Sequence, residues 1–97
     1  VLKKSAAEAK EIGLVNEVYA PEELMDKAME LAQAIATNAQ VAVRQSKAAI
    51  RHGLQTDMYT GAAFEAEAFG LCFATEDQKD AMAAFLKKEK LPGFKNK

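Results

Sequence analysis

The sequence predicts a mainly α fold of about four to five helices with one short extended segment. Apolar residues recur at steps of three and four along most of the chain. Ser or Thr is followed three residues later by Glu or Gln at two places that suit helix starts. Only one short β-prone run interrupts this pattern, and 97 residues fit one domain or part of one.

The first predicted element is a short helix over residues 6–12. Ser5 and Glu8 have the spacing of a capping box, and Gly13 is placed to end the helix. A β-prone run then predicts a strand or extended link that reaches about Tyr19. This run contains Leu14, Val15 and Val18.

Two helices are predicted in the middle of the chain. The first runs from Glu22 to about Thr37, where an apolar stripe falls at helical spacing on Leu24, Ala28, Leu31 and Ile35. After a break at residues 38–40, helical spacing resumes over residues 41–52, and Gly53 can end this helix. Small residues along the second helix predict close packing against a neighbour.

Two more helices are predicted towards the end of the chain. Thr56 can cap the first, on which apolar residues follow at Met58, Ala62, Ala66, Phe69 and Phe73. Phe64 lies off that face, so one face cannot bury all three phenylalanines. Thr75 and Gln78 form a second capping box, and the last helix ends before Pro92.

Composition and charge exclude several classes of protein. Apolar residues make up 49% and charged residues 28%, unlike the composition of disordered segments. No apolar run approaches the roughly 18 residues of a membrane span, and the start is too short for a signal peptide. We therefore expect a soluble, cytoplasmic protein that binds neither a membrane nor nucleic acid. From Lys87 onward, five lysines against one glutamate suit an anionic ligand.

No metal or catalytic centre is predicted from the titratable residues. His52 has no second His or Cys at ligand spacing, and Cys72 is expected to be a small buried apolar residue. Glu65 and Glu67 are two apart on a helix and point in different directions. The remaining close pair, Asp77 with Asp80, falls in a first helical turn, where acids favour the helix dipole.

Three stretches of the chain carry a family signature. The first is AAEAKEIGLVNEV, from Ala6 to Val18, and the second sets Ile35, Ala36 and Asn38 ahead of Ala42, Val43, Arg44 and Lys47. The third and most specific is CFATEDQKDAMAAF, from Cys72 to Phe85. In this order they resemble the enoyl-CoA hydratase, or crotonase, superfamily. Departures occur at Lys4, Gln40 and Ala81, where the family often has an apolar residue, proline and glycine.

The resemblance implies the C-terminal helical, trimerisation region of a crotonase-like fold. Residues 1–20 would end the crotonase core, and residues 21–97 would form the helical assembly and CoA-lid region. Hydratases of the family hold the thioester carbonyl with two backbone N–H groups and add water with two glutamates. The resemblance places these groups upstream of this chain, so it implies no catalytic residue here and no activity of the chain alone.

The resemblance also implies a CoA-binding role for Phe69, Phe85 and Lys88, close to the adenine and phosphates of CoA and often those of a neighbouring subunit's ligand. Phe85 and Lys88, three apart on one predicted helix, could face the same ligand. An aromatic ring can stack on adenine, and an ammonium group attracts phosphate. The implied partners are an acyl-CoA thioester and further copies in a trimer or hexamer, with no cofactor beyond the CoA of the substrate.

The expected function is that of a short-chain enoyl-CoA hydratase, a lyase also described as 3-hydroxybutyryl-CoA dehydratase, in fatty-acid or butyrate-type metabolism. Two alternatives stay open: an autonomous helical module that binds a protein through exposed phenylalanines, and another activity of the superfamily, as an isomerase, hydrolase or decarboxylase. We also expect the isolated chain to self-associate through some of Phe64, Phe69 and Phe73, because they lie on at least two apolar faces.

Overall fold

The computed structural model describes residues 3–97, which form five α-helices and contain no strand. The helices are α1 (Ala6–Glu11), α2 (Pro21–Ala36), α3 (Gln40–Gly53), α4 (Met58–Cys72) and α5 (Glu76–Leu86). The mainly α prediction is confirmed, and the bounds of the first three helices agree with the predicted ones to within one residue. None of the described helices is long and apolar enough to cross a membrane.

The chain divides into two compact units, Val1–Gln33 and Ala34–Lys97. This division follows packing, whereas the predicted division after residue 20 separates inferred roles and stays a prediction. The first unit contains α1 and most of α2, and the second contains α3, α4 and α5. The residues discussed below as a candidate site all belong to the second unit.

The ends of α1 follow the predicted signals. Ser5 Oγ accepts a hydrogen bond from the Glu8 N–H at 3.2 Å, as an N-cap residue does. At the other end, Gly13 has φ of +80°, and its N–H and that of Leu14 bond back to the carbonyls of Lys10 and Ala9. This is a Schellman motif, in which glycine is favoured. The residues that follow, 14–20, form bends and an irregular link instead of a strand.

Gln40 joins the end of α2 to the start of α3. Its side-chain Nε2 donates to the carbonyl oxygens of Ile35 and Asn38, each at 2.9 Å. The last carbonyls of a helix lack partners within the helix, so this amide satisfies groups that would otherwise need water. The departure from the family pattern at Gln40 therefore has a structural role at the break between the two helices.

Helices α3 and α4 pack together through small residues and one aromatic stack. A Cβ added at Gly61 would lie 3.4 Å from the Gly53 Cα, so the backbones approach closely at this point. Nearer the end of α4, Ala68 is buried. The His52 ring stacks on Phe64 with centroids 4.7 Å apart and an interplanar angle of 8°. The predicted close packing of the second middle helix agrees with this arrangement.

The cap of α4 differs from the predicted one. Asp57, not Thr56, is the N-cap residue, and its carboxylate accepts from the Thr60 N–H at 2.8 Å and from the Thr60 hydroxyl at 3.0 Å. These bonds lower the pKa of Asp57, with the backbone N–H contributing most. Asp and Thr are both good N-cap residues and stand side by side here, so the sequence alone does not separate them.

The start of α5 binds the end of the chain. Thr75 caps the helix through the Gln78 N–H, as predicted. Asp77, only 2% exposed, accepts hydrogen bonds from the backbone N–H groups of Lys95 at 2.6 Å and Asn96 at 2.7 Å. The Asn96 side chain in turn accepts from the Gln40 N–H at 3.2 Å. The tail thus connects the first turn of α5 with the first turn of α3.

Candidate functional site

A cleft of about 910 Å³ lies along the contact between α3 and α4. Small side chains shape its walls, among them Ala42, Ser46 and Ala49 of α3 and Ala62, Ala68 and Cys72 of α4. Cys72 is half-buried in this wall, where the sequence had indicated a buried residue. Glu65 is the carboxylate at the cleft, and its neighbours there are mostly apolar. The cleft therefore suits an apolar or amphipathic occupant.

Phe69, the first candidate ligand residue, lies at this cleft. Its side chain is 66% exposed, and its ring meets that of Phe73 edge to face with centroids 5.0 Å apart. The two rings share a face of α4, as their spacing of four residues predicts. Phe64 points elsewhere and is half-buried against His52. The exposed aromatic surface on α4 is therefore that of Phe69 and Phe73.

Phe85 and Lys88, the other two candidates, lie at the end of α5. Phe85 is in the last turn and is 77% exposed. The sequence had placed Lys88 on the same helix, and this is wrong, because α5 ends at Leu86 and Lys88 has φ of +57°. The two residues are still neighbours, since the Lys88 N–H donates to the Phe85 carbonyl at 3.1 Å.

Lys88 occupies a position where glycine is favoured. The N–H groups of Lys88 and Glu89 bond back to the carbonyls of Phe85 and Ala84, which completes a Schellman motif like that at Gly13. A side chain in the left-handed region costs about 1 kcal/mol relative to glycine. Backbone strain of this kind is concentrated at functional sites, and here it fixes a lysine directly beyond an exposed aromatic ring.

The lysines of the tail differ in their partners. Lys95 Nζ lies 3.1 Å from an Asp80 oxygen and 3.9 Å from a Glu76 oxygen. The hydrogen bond to Asp80, followed by the charges of both carboxylates, raises the pKa of Lys95. Lys88 has no salt bridge among the described residues. Of these two lysines, Lys95 is engaged with α5, and Lys88 is available to a ligand.

The structure joins two of the three candidates and leaves the third apart. Phe85 and Lys88 share a turn, while Phe69 lies on α4 at the cleft, and among the described residues no hydrogen bond or ring contact links it to them. The part of the chain that the structure describes also contains no group of three His, Cys, Asp or Glu side chains able to hold a metal ion. Asp77 and Asn96 hold the tail in position through hydrogen bonds, and the sequence analysis did not predict this role for them.

Comparisons with known proteins agree on one family. Residues 2–97 match the family model described as enoyl-CoA hydratase/isomerase. The chain is 60% identical over 92 residues to a short-chain-enoyl-CoA hydratase of Clostridium acetobutylicum. The matched region is 95% of this chain and 35% of that protein. It is 54% identical over 86 residues to a crotonyl-CoA hydratase of Syntrophomonas wolfei. Here the matched region is 89% of this chain and 33% of that protein.

A solved structure has the same fold over this region. The enoyl-CoA hydratase from Bacillus anthracis superposes with a TM-score of 0.86 at 40% identity, over 95% of this chain and 35% of that one. The chain therefore spans about a third of the length of these relatives. The helices described above correspond to about a third of these larger proteins.

Proposed function

We propose, because this chain belongs to the enoyl-CoA hydratase/isomerase family, that it supplies the CoA-binding and assembly region of a short-chain enoyl-CoA hydratase. The substrate would be a short acyl-CoA thioester, as the names of the two similar hydratases indicate for those proteins. The proposal assigns no acid–base residue to this chain. It places the enzyme in the cytoplasm and requires no cofactor beyond the CoA of its substrate.

The end of α5 carries the proposal. An exposed aromatic ring at Phe85 is followed by Lys88, which the Schellman motif holds in a left-handed conformation. The ring offers a flat apolar surface for a purine base, and the ammonium group offers a charge for phosphate. Phe69, at the α3–α4 cleft, supplies a second exposed ring, for the same ligand or for one held by a neighbouring copy.

Lys88→Glu in the full-length hydratase tests this role. If Lys88 contacts a CoA phosphate, reversal of its charge should raise KM for crotonyl-CoA by roughly ten- to hundredfold, since a charge-assisted hydrogen bond contributes about 1.5 to 3 kcal/mol. The effect on kcat should be small because the proposal gives Lys88 no part in the addition of water. KM and kcat are measured from the loss of enoyl absorbance at low ionic strength.

Lys90→Glu is the matched control. Lys90 is an exposed lysine two residues further along the same tail and carries the same charge. A general effect of tail charge would raise KM equally in both variants, and an unchanged KM in Lys88→Glu would remove Lys88 from the phosphate site. Either result contradicts the assignment.

The exposed apolar surface supports assembly into a homo-oligomer, a trimer or a hexamer. Phe69 is 66% exposed, Phe73 48% and Phe85 77%, and contiguous apolar surface of this kind is typical of an interface. Phe73→Ser removes one ring of the α4 pair and should shift the molar mass, measured by light scattering across a concentration series, towards the protomer. Phe64→Ser is the contrast, because the half-buried ring of Phe64 belongs to the α3–α4 contact.

A further inference from the structure

Helix α3 carries a row of positive charges that the proposed CoA role does not use. Arg44, Lys47 and Arg51 are exposed and follow one another at steps of three and four, so they lie along one face of the helix. No Asp or Glu occurs in α3. Charged surface helices usually mix both signs, with acids placed to pair with the bases. Within α3 this row is thus not compensated by acidic residues.

The row borders a concave surface. Arg44, Lys47, Arg51 and His52, with Leu54 and Gln55 from the turn after α3, line a hollow of about 760 Å³. No carboxylate lines this hollow. Within the unit Ala34–Lys97, as far as it is described, none of the three cations forms a salt bridge. The hollow therefore collects donors and positive charge without an internal counter-ion.

His52 is held in one orientation at the edge of this hollow. Its Nδ1 lies 2.9 Å from the Ala48 carbonyl, so Nδ1 carries a proton and donates it to that oxygen. Stacking on Phe64 fixes the plane of the ring. Nε2 is the ring nitrogen left over for a ligand. A lining residue held at two points is more ordered than a solvated surface histidine.

We propose that this hollow binds a di- or triphosphate group. Arginine guanidinium groups present planar forks that match phosphate oxygens, and the lysine between them adds a point charge. The seven residue steps from Arg44 to Arg51 span about 10 Å along a helix. That length exceeds a single phosphate and suits a short chain of phosphates that meets the three cations in turn. The proposal is independent of the hydratase role of Lys88.

Calorimetric titration of the full-length protein with inorganic pyrophosphate and tripolyphosphate tests the site. The variant Arg44→Gln/Lys47→Gln/Arg51→Gln should weaken binding by at least roughly tenfold, because it removes three charge-assisted contacts. The control Lys3→Gln/Lys79→Gln/Lys87→Gln changes the net charge by the same amount through exposed lysines outside α3 and should bind as the wild type does. Circular dichroism of each variant verifies that the helices are retained.

Two further variants distinguish a site with defined hydrogen-bonding geometry from general attraction to positive charge. Arg44→Lys/Arg51→Lys keeps the charge and removes the forks, and it should bind more weakly than the wild type and more tightly than the neutral variant. Lys88→Glu should raise KM for crotonyl-CoA, whereas Arg44→Gln/Lys47→Gln/Arg51→Gln should leave this KM unchanged, so that loss of the CoA role and loss of this site give different results. Equal affinity in the lysine variant and the wild type would overturn the site.

Other results would also overturn the proposal. If pyrophosphate fails to bind while the Arg44/Lys47/Arg51 variant has a lower oligomeric mass, the row contacts an acidic surface of another copy. Co-sedimentation with vesicles that contain an anionic phospholipid, compared with neutral vesicles, distinguishes a lipid headgroup from a free phosphate chain. Binding to the vesicles with no binding of pyrophosphate would reassign the surface to a membrane.

Discussion

The α3–α4 pair and the α5–tail segment are held together by different kinds of interaction. Small residues, a buried alanine and the His52–Phe64 stack join α3 to α4 over several turns. The tail after α5 contains no regular structure, and backbone hydrogen bonds to the buried carboxylate of Asp77 hold its end. Apolar packing thus spreads over many contacts, whereas the end of the tail depends on a few polar contacts, of which two go to the buried carboxylate of Asp77.

This difference leads to different responses to mutation. Loss of one small contact in α3–α4 is shared among its neighbours, and the helices keep their hydrogen bonds. Loss of the Asp77 carboxylate leaves two backbone donors without their acceptor at once. We therefore expect the largest single-residue effect at Asp77 and smaller ones in the helix pair.

Asp77→Ala is expected to destabilise the fold most, by about 3 kcal/mol, because two hydrogen bonds to a charged acceptor are lost. The tail should then leave the first turn of α5, and Asn96 should no longer accept from the Gln40 N–H. Urea unfolding gives the free energy, and amide hydrogen exchange at residues 95 and 96 reports release of the tail. Glu76→Ala is the control, since Glu76 lies in the same first turn and is exposed; an equal loss there would make the helix dipole the cause.

Phe64→Ala should destabilise the α3–α4 pair by about 2 kcal/mol, less than a fully buried phenylalanine would, because the ring is half-buried. The His52 ring would lose its stacking partner. Phe69→Ala, at an exposed ring of the same helix, should cost well under 1 kcal/mol. Thermal unfolding of both variants tests the order, and a larger effect at Phe69 would contradict the packing described for the pair.

The sequence predicted the helix pair better than the tail, and the reason is physical. Periodic apolar and small residues report which face of a helix is covered, so α3 and its packing could be anticipated from residues 41–52. Asp77 has no local signal for its role, because an acid in a first helical turn already has an adequate explanation in the helix dipole. Its partners are the backbone N–H groups of residues 95 and 96, and every non-proline residue has such a group.

The candidate ligand residues divide in the same way. Resemblance to a family supplied Phe69, Phe85 and Lys88, and helical spacing put Phe69 and Phe73 on one face. The left-handed conformation of Lys88 could not be anticipated, because the usual marker of such a position is glycine or asparagine. The exposure of Phe69 and Phe85 depends on what covers these helices. Helical spacing shows which residues share a face but does not show what covers that face.

Lys88→Gly should separate stability from binding at the end of α5. Glycine adopts φ of +57° without steric cost, so the free energy of unfolding should rise by about 1 kcal/mol. If Lys88 has the proposed CoA role, the KM of the full-length hydratase for crotonyl-CoA should rise at the same time, because the ammonium group is removed. Lys87→Gly is the matched control: Lys87 is right-handed at the C-cap, and glycine there should give no gain in stability. A Lys88→Gly variant that is no more stable than the wild type would contradict the strained cap.

The smallest effect on stability is expected at Asp57, the exposed N-cap residue of α4. Hydrogen bonds from the Thr60 N–H and hydroxyl lower the pKa of this carboxyl below its usual value of about 3.9. A group whose pKa is lowered by folding contributes stability that is fully present above its unfolded pKa and is lost as the pH falls through its folded pKa. Asp57→Asn keeps a good N-cap residue but does not titrate, so its stability near pH 7 should stay close to that of the wild type. Between about pH 5 and pH 2 the variant should therefore lose less stability than the wild type, as measured by urea unfolding at each pH. If the free energy of unfolding falls equally with pH in the two proteins, the capping hydrogen bonds of Asp57 do not favour its charged form.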